Sequence, residues 1–94
     1  TITAFEMMAG DNSPAGAVVS RLGFHGFGTT NGGLVLSTVT STNSPYGNVH
    51  SDSLDHAVSE DRSYYVLVEL DAVDHVIQDV IFGGIRVTYE TTVL

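Results

Sequence analysis

The stretch HSDSLDHAVSEDR, residues 50–62, sets four acids, two histidines and an arginine within thirteen positions. Calcium takes about six to eight oxygen ligands, mostly carboxylates and loop carbonyls. If the stretch folds back as a loop, Asp52, Asp55 and Asp61 are the expected ligands, with Glu60 beside them. Asp71 and Asp74 offer a second acidic pair at the next turn. Neither stretch carries the Asp-x-Asp-x-Asp-Gly pattern of a calcium hand. Zinc would draw on His50, His56 and His75 with Asp52 or Asp74, but the spacing H-x5-H with a distant third histidine fits no zinc template. Ser51 and Ser53 lie near His56 and Asp55, yet nucleophilic triads are defined in space rather than along the chain, and no G-x-S-x-G is present. With eleven acids available, a carboxylate pair for glycoside hydrolysis is unspecific. The residues therefore point away from an enzyme, and no cofactor is implied beyond calcium. A sugar site is the other chemistry on offer. Asn43, Tyr46 and Asn48, close to Asp52, give one loop the asparagine, aspartate and aromatic mix of a lectin-like site. The bland alternatives are a solvated acidic loop and a tyrosine packed over a Ser-Pro-Tyr-Gly turn.

Composition narrows the partners. Eleven acids face three arginines (Arg21, Arg62, Arg86) and no lysine, for a net charge of −8. Nucleic acid and anionic membrane surfaces are disfavoured, since both require clustered cations. Cations, basic partners and neutral ligands such as glycans are not. No segment approaches the roughly 18 apolar residues of a spanning helix, so membrane insertion is not expected. Cysteine is absent, which removes disulfides, zinc–thiolate centres and thiol nucleophiles together. Few charges, ten glycines and many Ser and Thr suggest an extracellular, cell-surface or virion protein. A start at Thr1 suggests a processed product or a piece of a larger protein.

The elements that would position these residues are strands. AVVSRLGFHGF (17–27) alternates, with Val18, Leu22 and Phe24 on one face and Arg21, Gly23 and His25 on the other, as in a half-buried strand. GLVLSTVT (33–40) is apolar on both faces and is expected to be central in its sheet. In SYYVLVEL (63–70), Tyr64, Val66, Val68 and Leu70 share a side. The last stretch (75–92) is long for one strand, and Gly83-Gly84 predicts a bulge, a bend or a switch between sheets. TITAFEMM (1–8) reads as a strand at a sheet edge. Asn31-Gly32 predicts a hairpin. Strands recurring without helical periodicity make an all-β fold, a single domain over 1–94.

The C-terminal half, EDRSYYVLVELDAVDHVIQDVIFGGIRVTY, resembles a group of uncharacterised bacterial surface and secreted β-sandwich domains. Ser63, Tyr65, Leu67 and Glu69, then Gly84, Ile85, Val87 and Tyr89, occupy the positions of that pattern. PAGAVVSRLGFHG is similar to the strand that opens such domains after a Pro-Gly turn. The long N-terminal strand pair of the group is cut short here. The resemblance implies a jelly-roll-like module and transfers no catalytic residue.

Together these readings predict a jelly-roll-like antiparallel β-sandwich of about seven to nine strands. Its expected core is Val18, Leu22, Phe24, Leu34, Leu36, Val66, Val68, Ile85, Val87 and Tyr89. Both ends of the chain are more apolar than a small sandwich core requires, which predicts self-association, as a trimer or a strand-exchanged filament. The expected role is a structural or interaction module in a homo-oligomeric assembly. The alternative is a lectin-like or calcium-binding module with its site on the 43–61 loop.

Overall fold

The computed structural model describes residues 1–11, 17–29, 33–41, 46–71 and 80–91. They form six strands: β1 (Ile2–Asp11), β2 (Ala17–Gly26), β3 (Leu34–Thr40), β4 (Asn48–His56), β5 (Arg62–Asp71) and β6 (Val80–Tyr89). Two antiparallel three-stranded sheets result, β4-β1-β6 (sheet A) and β3-β2-β5 (sheet B). They stack as a β-sandwich. The connections after β1, β3, β4 and β5 each change sheets, and only β2 and β3 follow one another within a sheet. Six described strands replace the larger number expected. The turn residues Asn31 and Gly32 lie outside the described residues, but β2 and β3 do pair as successive antiparallel strands, from Phe24 opposite Leu34 to Val19 opposite Thr40.

Period-two alternation explains which side chains meet between the sheets. Phe5, Met7, Ala9 and Asp11 of β1 face inward and are buried, as are Val18, Ser20, Leu22 and Phe24 of β2. Ile2 joins them across a register shift between Ile2 and Ala4. Val39 and Val80 complete the buried apolar residues, with Leu54, Tyr64, Val68, Ile85 and Val87 packed against them, and Ser37 and Ser41 are buried too. The central strand of sheet A is thus β1, not an edge strand. Conversely β3, expected at the centre, is an edge. Leu34, Val66 and Tyr89, assigned above to the core, are exposed. Each sits on a border strand, where apolar character on a face does not guarantee a covering layer.

Gly83 is an extra residue in β6: Met8 pairs with Gly84 and Ala9 with Phe82. This is the predicted bulge, and the strand remains in one sheet on both sides of it. A Cβ on Gly83 would lie 2.9 Å from Met8 Cε and 3.0 Å from the Met8 carbonyl oxygen, so the bulge accommodates only glycine without a shift of its neighbours. A tyrosine lies over a glycine on each outer face. Tyr65 covers its cross-strand partner Gly23, whose added Cβ would come within 2.6 Å of the ring. Tyr46 covers Gly10, where any Cβ would run into its backbone.

The two long sides of the sandwich differ. Between β3 and β4 the layers are joined by a hydrogen bond from Ser37 Oγ to Asp52 Oδ2, at 2.7 Å. Between β5 and β6 no side-chain hydrogen bond joins the described residues. There, apolar positions on the core faces stay open: Val66 opposite Leu22 is 42% exposed, Leu70 opposite Val18 is 54%, and Phe82 opposite Ala9 is 37%.

Candidate functional site

The expected acidic loop is largely a strand. Residues 48–56 are β4, paired with β1 along its length. Alternation therefore separates the residues that a loop would have brought together. His50, Asp52, Leu54 and His56 are partly buried toward sheet B, while Ser51, Ser53 and Asp55 are exposed. Asp52 accepts from Ser37, Asp55 is on the opposite face, and Asp61 lies in the turn before β5. In that turn the Asp61 carbonyl accepts from Phe27 N–H and its own N–H donates to Ser59 Oγ. The structure does not gather Asp52, Asp55 and Asp61. Among the described residues no three of His, Cys, Asp and Glu are placed to hold a metal ion. His50 and His56 share a face but are six residues apart, roughly 20 Å of extended chain, too far to share an ion. The Asp74-His75 pair and Asn43 lie outside the described residues. Ser51, Ser53 and Asp55 face away from His56, so they form no triad with it.

What β4 does build is an aromatic end to the sandwich. His56 stacks on Phe24, with centroids 5.6 Å apart, and its Nε2 is 2.9 Å from the Tyr64 hydroxyl. That hydroxyl accepts from Ser59 N–H at 3.1 Å, so its proton is free for His56 Nε2. Arg62 caps Phe24 at 4.2 Å in a cation–π contact. The rings and the Tyr64 hydroxyl are held by one another, and the cluster reads as a structural lock on the β4–β5 turn. His50 differs: its Nε2 is buried without a hydrogen-bond partner.

A concave site lies instead on the outer face of sheet A. Glu6, Met8, Val49, Gly84, Ile85 and Arg86 line a groove of about 250 Å³. Its rows follow from the register: Val49–Met8–Gly84 crosses the sheet, and Ser51–Glu6–Arg86 crosses it beside that row. The first row has no side chain on β6, which notches the face. The second is a charge-assisted fork. Arg86 Nε and Nη2 donate to the two Glu6 carboxylate oxygens at 2.9 and 2.8 Å, and Ser51 Oγ donates to Glu6 Oε2 at 3.3 Å. The Arg86 hydrogen bonds hold the Glu6 carboxyl below its ordinary value, partly opposed by desolvation, and Glu6 in turn raises Arg86. Tyr46 borders the groove. Its backbone sits on Gly10 and its hydroxyl reaches to Gly83, where Met8 Cε also arrives.

Of the residues expected on a sugar-binding loop, Asn43 lies outside the described residues, and Tyr46 lies beside this groove, its hydroxyl near Gly83, without lining it. Asn48 pairs with Ala9 and so takes the core-side face of β4. Met8, Glu6 and Arg86 were missed because they come from strands 80 residues apart in sequence. Only the antiparallel register of β1 with β6 makes them neighbours. No protein-family model, curated protein or solved structure matches this chain.

Proposed function

We propose that this domain is a non-enzymatic structural or interaction module that self-associates, in an extracellular, cell-surface or virion assembly. The observation that supports this reading is the open β5/β6 side. Val66, Leu70 and Phe82 occupy core-face positions yet remain half in water. Among the described strands, β5 and β6 also end their sheets, so each presents a row of unpaired backbone donors and acceptors. An apolar seam flanked by two ten-residue open edges is the chemistry of strand-to-strand or seam-to-seam contact. A second copy offers the same two edges and the same apolar residues, and an isologous pairing covers both at once. On the opposite side Leu34 is exposed as well, but there a hydrogen bond from Ser37 to Asp52 ties the two sheets together.

Native mass spectrometry and light scattering at micromolar concentration test the proposal. A dimer or higher closed oligomer is expected, and Val66→Asp with Leu70→Asp should shift it to monomer while each variant stays folded. A wild-type chain that remains monomeric overturns the reading.

A further inference from the structure

We infer that two copies of this chain join through β5, as an antiparallel β5–β5 pair with Leu67 on the two-fold axis, so that sheet B runs on from one copy into the next. The inference rests on the self-association proposed above and names its edge and its register. It begins from the direction of the β5 backbone. Phe27 N–H donates to the Asp61 carbonyl at 2.8 Å, so the odd-numbered residues of this ladder bond to β2. The other side of β2 agrees: Ser41 N–H donates to the Val18 carbonyl at 2.9 Å, which turns the even residues of β2 toward β3. Backbone groups point to alternate sides along an antiparallel strand. The N–H and C=O groups of Tyr64, Val66, Val68 and Leu70 therefore point out of the free edge.

Among the described strands, β3, β4, β5 and β6 end their sheets, and β5 differs from the other three. Each of β3, β4 and β6 carries an extra residue against its neighbour, whereas β5 pairs with β2 from Asp71 to Arg62 without a register shift. Bulges twist an edge away from a would-be partner strand. The ten residues of β5 also include no proline, glycine or lysine, so this edge has none of the usual guards against pairing. The register follows from what would meet. Side chains opposite one another in an antiparallel pair share a face, so a two-fold axis must pass through a residue pair. With the axis at Leu67, apolar groups left in water find apolar partners. Leu67, 47% exposed, meets its own copy, Val66 meets Val68 of the second copy, and Leu70 meets its Tyr64. No like charges face each other. Glu69, already neutralised by Arg21 at 2.7 Å, lies opposite Tyr65, and Asp71 lies opposite Ser63. An axis at Val66 would set Asp71 against Asp61, and one at Tyr65 would set Glu69 against Asp61, both unfavourable. An axis at Val68 would turn Leu67 onto Glu69 and shorten the pairing.

The absence of cysteine makes the test direct, since any disulfide comes from an introduced thiol. The two Leu67 residues would form a non-hydrogen-bonded pair, with Cα atoms about 4.5 Å apart, inside the roughly 4.4–6.8 Å that a disulfide spans. Leu67→Cys should therefore oxidise to a covalent dimer in a glutathione buffer. Glu69→Cys alone, with its two thiols roughly 14 Å apart along the strands, should not. Ser63→Cys and Asp71→Cys should each stay uncrosslinked alone and give the mixed disulfide dimer when combined. Mass spectrometry of the non-reduced protein reads each result. Val66→Pro is an independent measurement. Its N–H faces the free edge, so the β2–β5 ladder keeps its bonds, and the dimer should be lost while the far-UV circular dichroism of the fold is kept. If Val66→Pro does not fold, the cysteine variants decide alone. A wild-type chain that is monomeric overturns the self-association reading and this inference with it. A wild-type dimer in which Leu67→Cys stays uncrosslinked, or which survives in folded Val66→Pro, overturns this edge and register alone.

Discussion

Removing the Asp52 carboxylate leaves the buried Ser37 hydroxyl without its acceptor, so Asp52→Ala should cost about 1–3 kcal/mol in urea unfolding. Asp55→Ala, on the exposed face, should stay within about 0.5 kcal/mol of wild type. His50 is expected to behave in the opposite sense. Its Nε2 is buried without a partner, so His50→Leu removes a desolvation cost and should leave the urea midpoint unchanged or raise it. Acidity acts through Glu6. Its carboxyl is held lower in the folded chain than the ordinary value of 4.5 by Arg86. The pairing therefore stabilises above that ordinary value and is lost as pH falls through the lower folded value. Melting temperature should drop on acidification below 4.5, and Arg86→Gln should flatten that limb. The residue types in 50–62 were legible as acidic and polar, but their directions were not. Once this stretch is a strand, positions 52 and 55 differ in parity and point apart, whatever their chemistry.

The strand is the level at which the amino-acid pattern carried most information. Alternation in 17–26 assigned Val18, Leu22 and Phe24 to the interior, where they are. Gly83-Gly84 marked the bulge. The order of strands within sheets was hidden, because β1 and β3 carry similar apolar content and only their partners distinguish centre from edge. Burial now ranks them. Phe5→Ala, at a fully buried site, should cost about 3–5 kcal/mol by thermal or urea unfolding, whereas truncation of exposed Leu34 should cost far less. Gly23 is constrained from two sides, by the Tyr65 ring and by the Leu34 carbonyl oxygen at 2.9 Å from a built Cβ. Gly23→Val should destabilise measurably while Gly28→Ala, with open space around it but a φ of 74°, is limited by its backbone alone.

For the whole molecule, all three arginines are engaged: Arg21 with Glu69 at 2.7 Å, Arg86 with Glu6, and Arg62 over Phe24. The net charge of −8 is thus spread over acids that repel between copies. Association through the β5/β6 seam should strengthen as salt screens that repulsion, over a Debye length of about 8 Å at physiological ionic strength. Light scattering across a salt series reads this directly. The topology also sets the order of events when the chain folds. Sheet B can begin from the local β2–β3 pairing. Sheet A cannot, because β1 is its centre and β6 reaches it from the far end of the sequence: Thr3 Oγ1 donates to the Thr88 carbonyl, 85 residues away. Non-local pairing of this kind is slow, on the order of milliseconds to seconds. Until β6 arrives, the inward side chains of β1, Phe5 and Met7 among them, lack one flank of their shelter. The most protected strand of the finished domain is the one left longest at risk of aggregation while it forms.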